Sequence, residues 1–453
     1  MSQIAIPSTA DHLDRLEDLI KKALRAGADQ ADAIFFTSRS ESVSWRLGKL
    51  EDIERSENVD LGLRVFIGQK QAIVSSSDLS AQNMDPLVER AVSMARHAPQ
   101  DRFAGLADPA LLAQPPFEDL DLYDTTTPSA ETLQDMARET EALALATEGI
   151  TNSQGAGAGY DKVEIVLCNS DGFAQSYRRS SFSLSLSVIA GAGTAMERDY
   201  AYSSKHHLAD LDSPAEIARE AAERALRRLN PRKAATAQVP VVYDPRVSKT
   251  LLGHFAGAIN GQSIARGTSF LKDRMGDRIF PEHITIIDDP HIVRGPSSRP
   301  FDGEGVANDK LVLVENGILK SWFLDSSSAR QLGLKSNGRA SRGTSSPPAP
   351  SSTNIYIAPG KLSPEELVAD IASGFYVTEL IGMGVNGITG DYSRGASGFW
   401  IENGQITYPV NEVTVAGNLK DMYRHMQAAS DLEFKYGTDA PTLRIDSMMV
   451  AGN

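Results

Sequence analysis

Near the N-terminus of the chain, apolar residues recur at helical spacing. Leu13, Leu16, Leu19, Ile20, Ala23 and Leu24 share one face of STADHLDRLEDLIKKALRA, which predicts a helix over 9–26 with Thr9 or Ser8 as N-cap and Gly27 as its stop. The period then switches to two. ADAIFFTSRSES, VSWRLGKLEDIERS and VDLGLRVFIGQKQAIVSSS read as extended segments, with Gly48 and Gly68 placed for hairpin turns. A second helix is predicted at 81–97. The stretch 99–128 holds five prolines and no period, so it is expected to be an extended surface connection. A helix at 129–148 leads into the clearest hairpin, in which Phe182, Leu184, Leu186 and Val188 alternate with Ser181, Ser183, Ser185 and Ser187. Asp171-Gly172 is its expected type I′ turn. A helix at 213–229 closes this half, and PRKAATAQ (231–238) reads as a linker.

The second half is richer in Gly, Asn, Asp and Ser, with short strand-like runs. Two hairpins, LVLVENGILKSWF and GFWIENGQITYPV, both turn on Glu-Asn-Gly, where Asn-Gly suits the positive φ of a tight turn. Helices are expected at 246–259, at 363–373 with Ser363 as N-cap and Pro364 in the first turn, and at 418–429. SNGRASRGTSSPPAPSST (336–353) has too few apolar residues to build a core and is expected to be mobile. The fold class expected is α+β: a domain over 1–230 with an antiparallel sheet covered by helices, then a mainly β, barrel-like or sandwich-like domain with a few helices over 239–453.

Composition narrows the function classes. A formal net charge of −14 across 453 residues argues against nucleic-acid binding, which needs clustered Lys and Arg. The basic run ERALRRLNPRK ends a predicted helix and complements its dipole. One cysteine, Cys168, excludes an intrachain disulfide and fits a reducing compartment. Neither a signal peptide nor a membrane-spanning run is visible, so a cytoplasmic protein with no membrane partner is expected.

LLGHFAGAING (251–261) poses the chemical question, because a histidine on an apolar helix after a strand can be half of a zinc site. Such a helix needs two ligands about a turn apart and a carboxylate to activate water. The eight histidines form no HExxH or HxxxH, and no GxSxG, Walker loop or strand-borne GxGxxG exists. From spacing alone there is no visible catalytic engine.

The run TELIGMGVNGITGDYSRGASGFWIENGQITYPVNEVTVAGNLKDM (378–422) closely resembles the signature of the TldD/PmbA peptidase family. SENVDLGLRVFIGQKQA, LLGHFAGAINGQS and SRPFDGEGV extend the likeness, which is nearest to its PmbA (TldE) branch. The resemblance implies a cytoplasmic bacterial protein paired with a TldD-like subunit in a heterodimer or higher hetero-oligomer. That pair would be a zinc metalloprotease cutting unfolded peptides, in peptide-antibiotic maturation and in toxin–antitoxin or gyrase-related proteolysis. TldD-type subunits carry HExxxH on this helix and a cysteine ligand near the C-terminus. Here the motif reads Gly253-His254-Phe255-Ala256-Gly257-Ala258, and the C-terminal segment has no cysteine. Gly253 and Ala258 replace both ligand histidines and His254 replaces the glutamate, so no catalytic or metal-binding residue is expected in this chain, and zinc is expected on the partner.

GDYSRGASGFW is the expected peptide-binding segment, through Asp391, Tyr392, Ser393, Arg394, Gly395 and Ser397. An extended peptide could add as a strand there, with Gly390, Gly395 and Gly398 allowing close approach. Phe399, Trp400, Tyr408 and Trp322 are further candidates for substrate or partner contact, although core packing is the commoner use. Two rivals remain open: a peptidase acting alone, as a homodimer or through unrecognised ligands including His254, and a peptide-binding adaptor with no proteolytic partner.

Overall fold

The computed structural model describes residues 9–452, so Ser8, the alternative N-cap, lies outside the described residues. The first half is built on six antiparallel strands: β1 (Gln30–Arg46), β2 (Lys49–Ile67), β3 (Lys70–Ser76), β4 (Ile150–Asn169), β5 (Ala174–Ala190) and β6 (Glu197–Lys205), ordered β3-β2-β1-β4-β5-β6. Successive side chains of a strand point to opposite faces. One face carries Phe35, Val166 and Cys168 against α1 (Thr9–Arg25) and α2 (Ala81–His97). The same face carries Phe182, Leu184, Leu186 and Val188 against α3 (Ala130–Leu145) and α4 (Pro214–Arg227), as the serine alternation predicts. At the Asp171-Gly172 tip the structure departs from a type I′ turn. Only Gly172 takes positive φ (93°), and Asn169 Oδ1 closes a wider loop by accepting from the Asp171 and Phe173 amides.

The opposite face of this sheet is also covered. Ile34, Ile165, Leu167 and Phe173 pack on Phe301 and Val306 from the second half, together with Leu112 and Ala113. The proline-rich stretch is therefore not simply a surface connection: Leu106, Ala107, Leu112, Ala113, Leu120 and Leu122 are all buried. Isolated apolar residues filling the gap between two layers need no period, which is why the sequence hides them.

The second half contains β7 (Ala237–Tyr243), α5 (Pro245–Ala258), α6 (Gly261–Ala265), β8 (Ile286–Asp289), β9 (Leu311–Glu315), β10 (Ile318–Leu319) and α7 (Ser326–Leu332). After these come β11 (Ala340–Ser341), β12 (Ala349–Pro350), β13 (Asn354–Ile357), α8 (Pro364–Val368), β14 (Ser373–Ile381), β15 (Asp391–Glu402) and β16 (Gln405–Asn418). α9 (Leu419–Arg424), β17 (Met426–Ala428), β18 (Thr438–Asp439) and β19 (Leu443–Ala451) complete it. The order β16-β15-β14-β7-β19 closes into a five-stranded barrel because Thr414–Ala416 of β16 pair with Met449–Ala451 of β19. Helix α5 lies between this barrel and the sheet β10-β9-β8-β13-β18, and Leu251 and Phe255 share one core with Val241, Val377, Ile286 and Ile355. The expected α+β class, with an antiparallel first sheet and a barrel-like second half, is what forms.

Both Glu-Asn-Gly turns have positive φ at their central pair, 48° and 78° at Asn316-Gly317 and 50° and 75° at Asn403-Gly404. The two later helices are shorter than predicted. α8 keeps its Ser363 capping box but stops at Val368, and α9 stops at Arg424 because Met426–Ala428 pair with β19. Strand pairing outcompetes local helical preference there.

The segment 336–353, expected to be mobile, is instead packed between the two halves. Arg339 is wholly buried and donates to Asp288 Oδ1 at 2.6 Å. Thr344 backbone atoms lie so close to Gly62 of β2 that a Cβ there would collide with Thr344 O. This segment is anchored by buried polar groups and ion pairs, which an argument from apolar content does not count.

Candidate functional site

Helix α5 is held rigidly. Asp244 caps it by accepting from the Arg246 amide at 3.0 Å and from the Tyr376 hydroxyl at 3.0 Å. Along its length Ser248 donates to Ala440 O at 3.2 Å, and the Tyr423 hydroxyl donates to Leu251 O at 3.1 Å. Leu251, Leu252 and Phe255 face the core. Gly253 and Gly257 look into open space, where a Cβ would meet no atom within 4 Å. Ala258 is buried.

His254 is half-buried and meets β15. Its ring stands edge-on to Tyr392 at 6.1 Å, and burial, then the charge of Arg394, hold its pKa below the ordinary histidine value. Tyr392 and Arg394 are both buried, being two residues apart on one face of the strand. The Tyr392 hydroxyl is pushed up to about 12, chiefly by burial, with Tyr243 and Arg394 pulling the other way. The Tyr243 hydroxyl beside it turns to Met448 Sδ at 3.3 Å. Three buried polar atoms converge here without a hydrogen-bond partner: His254 Nε2, Tyr392 Oη and Arg394 Nε. Arg394 makes no ion pair among the described residues. A neutral imidazole, a phenol and a guanidinium together form a corner rich in donors, suited to a carbonyl or carboxylate oxygen.

The other expected peptide-binding residues do not join this corner. Asp391 and Ser393 are on the exposed face of the strand, and Asp391 accepts from Thr389 Oγ1 at 2.6 Å and Asn418 Nδ2 at 3.0 Å, which hold its pKa low. Gly395 is half-buried, and Ser397 is buried next to a register shift, with its carbonyl accepting from Thr378 Oγ1 at 3.4 Å. Strand addition at this segment is excluded, because β15 is paired on both sides, with β14 and with β16. The close approach at Gly398 is taken by the chain itself: a Cβ there would collide with Tyr376 O. Trp322, Phe399 and Trp400 are core residues, and Tyr408 stacks under Arg232, 4.3 Å from its ring centre.

A zinc site does not fit this helix, since Gly253 and Ala258 bring no donor atom and His254 is flanked by a cation. Among the described residues no group of three or more His, Cys, Asp or Glu side chains could hold a metal ion. Sequence reading placed His254 and the GDYSRG segment separately; their meeting required the barrel. The shared face of Tyr392 and Arg394 was legible from alternation.

Comparison with known proteins covers nearly the whole chain. Family profiles described as PmbA/TldA metallopeptidase domain 1, central domain and C-terminal domain match residues 31–95, 123–229 and 236–452. The chain is 39% identical to Metalloprotease PmbA of Escherichia coli O157:H7 over 444 residues, covering 96% of each. A crystal structure from Bacteroides thetaiotaomicron, described as a candidate modulator of DNA gyrase, superposes with a TM-score of 0.90 at 26% identity, covering 98% of this chain and 99% of that one. TldE from Thermococcus kodakarensis shares the fold with a TM-score of 0.85 at 21% identity, covering 97% and 100%.

Proposed function

This chain belongs to the PmbA/TldD metallopeptidase family, and from that premise we propose that it is the non-catalytic subunit of a cytoplasmic two-subunit metalloprotease that cleaves unfolded peptides. The observation that carries this reading is on α5, where the two positions that would supply imidazole ligands are Gly253, open to solvent, and Ala258, buried. In this reading zinc and its activated water belong to a TldD-like partner, and this chain closes the peptide chamber. The donor corner of His254, Tyr392 and Arg394 supports a holding role: its unpartnered atoms suit a peptide carbonyl or carboxylate and its charge is wrong for a cation. No membrane partner is expected, and no described helix is long and apolar enough to cross a bilayer.

The test is reconstitution. This chain alone, a TldD-like chain alone and the mixture are assayed on unfolded casein with and without chelator. Cleavage that needs both chains and is abolished by chelator is expected. Chelator-sensitive cleavage by this chain alone, lost in His254→Ala with stoichiometric zinc in the wild type, would establish the stand-alone peptidase instead. Peptide binding with no activation of any TldD-like chain would establish the adaptor.

A further inference from the structure

A cavity of about 360 Å3 lies between the two halves, far along the chain from α5. One wall is the face of β1, β4 and β5 that points away from the helices, bearing Ile34, Phe36, Ile165 and Tyr177. The other wall comes from the second half, with Phe301 at its centre, edge-on to Tyr177 at 5.4 Å. Three arginines line the space: Arg179, which is exposed, and Arg299 and Arg342 deeper in.

The deep pair is under-used. Arg342 is 8% exposed, and although its Nη1 lies 2.7 Å from Asp32 Oδ1, none of its three guanidinium nitrogens makes a directed hydrogen bond. Asp32 is already held by Arg64 through Nε at 3.1 Å. Arg299 Nε and Nη2 are buried without partners, and Arg299 makes no ion pair among the described residues. Asp302, the one acid in the lining, spends its oxygens on the amides of Glu304, Val306 and Ala340. Buried guanidinium groups are normally satisfied, and a bidentate carboxylate is the partner their fork fits best. Ser297, Ser341 and Ser352 add hydroxyls to the lining, whereas the buried Ser298 hydroxyl is taken up by Ile292 O and Asn354 Nδ2.

We propose that this interdomain cavity is a binding site for a carboxylate that carries an apolar group, its oxygens held by Arg299 and Arg342 and its apolar part against Ile34, Phe36 and Phe301. The volume admits a compound the size of one or two amino-acid residues, near the small end of ligand pockets. Two sources share this chemistry, the C-terminal residue of a peptide and a free branched organic acid. The cavity lining includes none of His254, Tyr392 and Arg394, and the site does not depend on the partner-subunit reading.

The experiment is thermal unfolding and calorimetric titration of the full chain with N-acetyl-leucine, N-acetyl-leucinamide and 4-methylpentanoate. The carboxylates are expected to raise Tm and the amide to bind at least tenfold more weakly. Tighter binding of N-acetyl-leucine than of 4-methylpentanoate assigns the site to peptide ends, and the reverse assigns it to free acids. Arg299→Met is expected to fold, since Nε and Nη2 have no hydrogen bond to lose, and to lose the carboxylate-dependent rise in Tm. Should Arg299→Met fail to fold, Ser352→Trp at the rim, filling the cavity, is expected to abolish the same rise. Equal binding of acid and amide, no binding of either acid, or binding that survives in Arg299→Met or, where that variant does not fold, in Ser352→Trp overturns the proposal.

Discussion

Arg339 Nε donates to Asp288 Oδ1 at 2.6 Å, with both side chains fully withdrawn from solvent. The guanidinium also reaches the backbone oxygens of Asn337 and Asp309, and Asp288 in turn accepts from the Thr353 amide at 2.7 Å. This pair fastens the 336–353 segment to β8. Removing one member leaves the other as an uncompensated buried charge. Arg339→Met is expected to lower stability by about 3–5 kcal/mol, read from urea unfolding, whereas a shift under 1 kcal/mol would mean that the segment contributes little to the fold.

The buried acids beside this segment set a pH dependence. Glu304 is pushed up to about 7 from the ordinary 4.5, first by burial and then by the neighbouring Asp302, with Arg64 opposing. A carboxyl whose folded pKa is raised costs nothing below its unfolded value, and its cost grows as pH rises through the folded value. Glu304→Gln keeps an acceptor for the Ser326 amide and is expected to gain up to about 3 kcal/mol at pH 8 and almost nothing at pH 4.5. Thermal unfolding of both proteins across that range checks it, and a gain that is the same at both pH values would contradict it.

His254 behaves in the opposite sense. Burial and then Arg394 depress its pKa, so the unfolded chain takes up a proton that the folded chain refuses, and stability is lost as pH falls below about 6.5. An NMR titration of the His254 ring should show a midpoint below the ordinary histidine value. Arg394→Gln should move the midpoint upward, and an unchanged midpoint would show that the two groups do not interact.

Cys168 is fully buried on β4 beneath α1 and α2, and burial pushes its thiol up to about 12. Thiolate is the reactive form. Ellman's reagent is therefore expected to find no thiol in the native protein and one per chain in denaturant; rapid native labelling would mean that the α1–α2 layer opens readily.

At Gly398 an added methyl would collide with Tyr376 O, an atom of the paired strand backbone that cannot move aside without breaking the barrel. Gly398→Ala is expected to cost roughly 2 kcal/mol or more. Gly253→Ala, on the open side of α5, should be stabilising by up to about 1 kcal/mol from helix propensity alone. The difference between the two, measured by denaturant unfolding, separates a packing glycine from a tolerated one.

Periodicity made the elements of this protein legible wherever one face was apolar and the other wet. The alternation in β5, the α1 stripe and the Asn-Gly turns all read directly from residue type, because side-chain direction and positive φ are local properties. Once the family resemblance marked Gly253 and Ala258 as the ligand positions, their lack of zinc donors followed from residue type, since no packing can give a glycine a ligand atom. Closure of the barrel was not legible, because pairing β16 with β19 depends on contacts more than thirty residues apart that no local pattern encodes. Tertiary structure alone brought His254 to Tyr392 and Arg394, closed both edges of β15, and turned 336–353 from a polar loop into a buried strut. In each of these cases the deciding energy lies in desolvated polar groups finding, or failing to find, partners from distant parts of the chain.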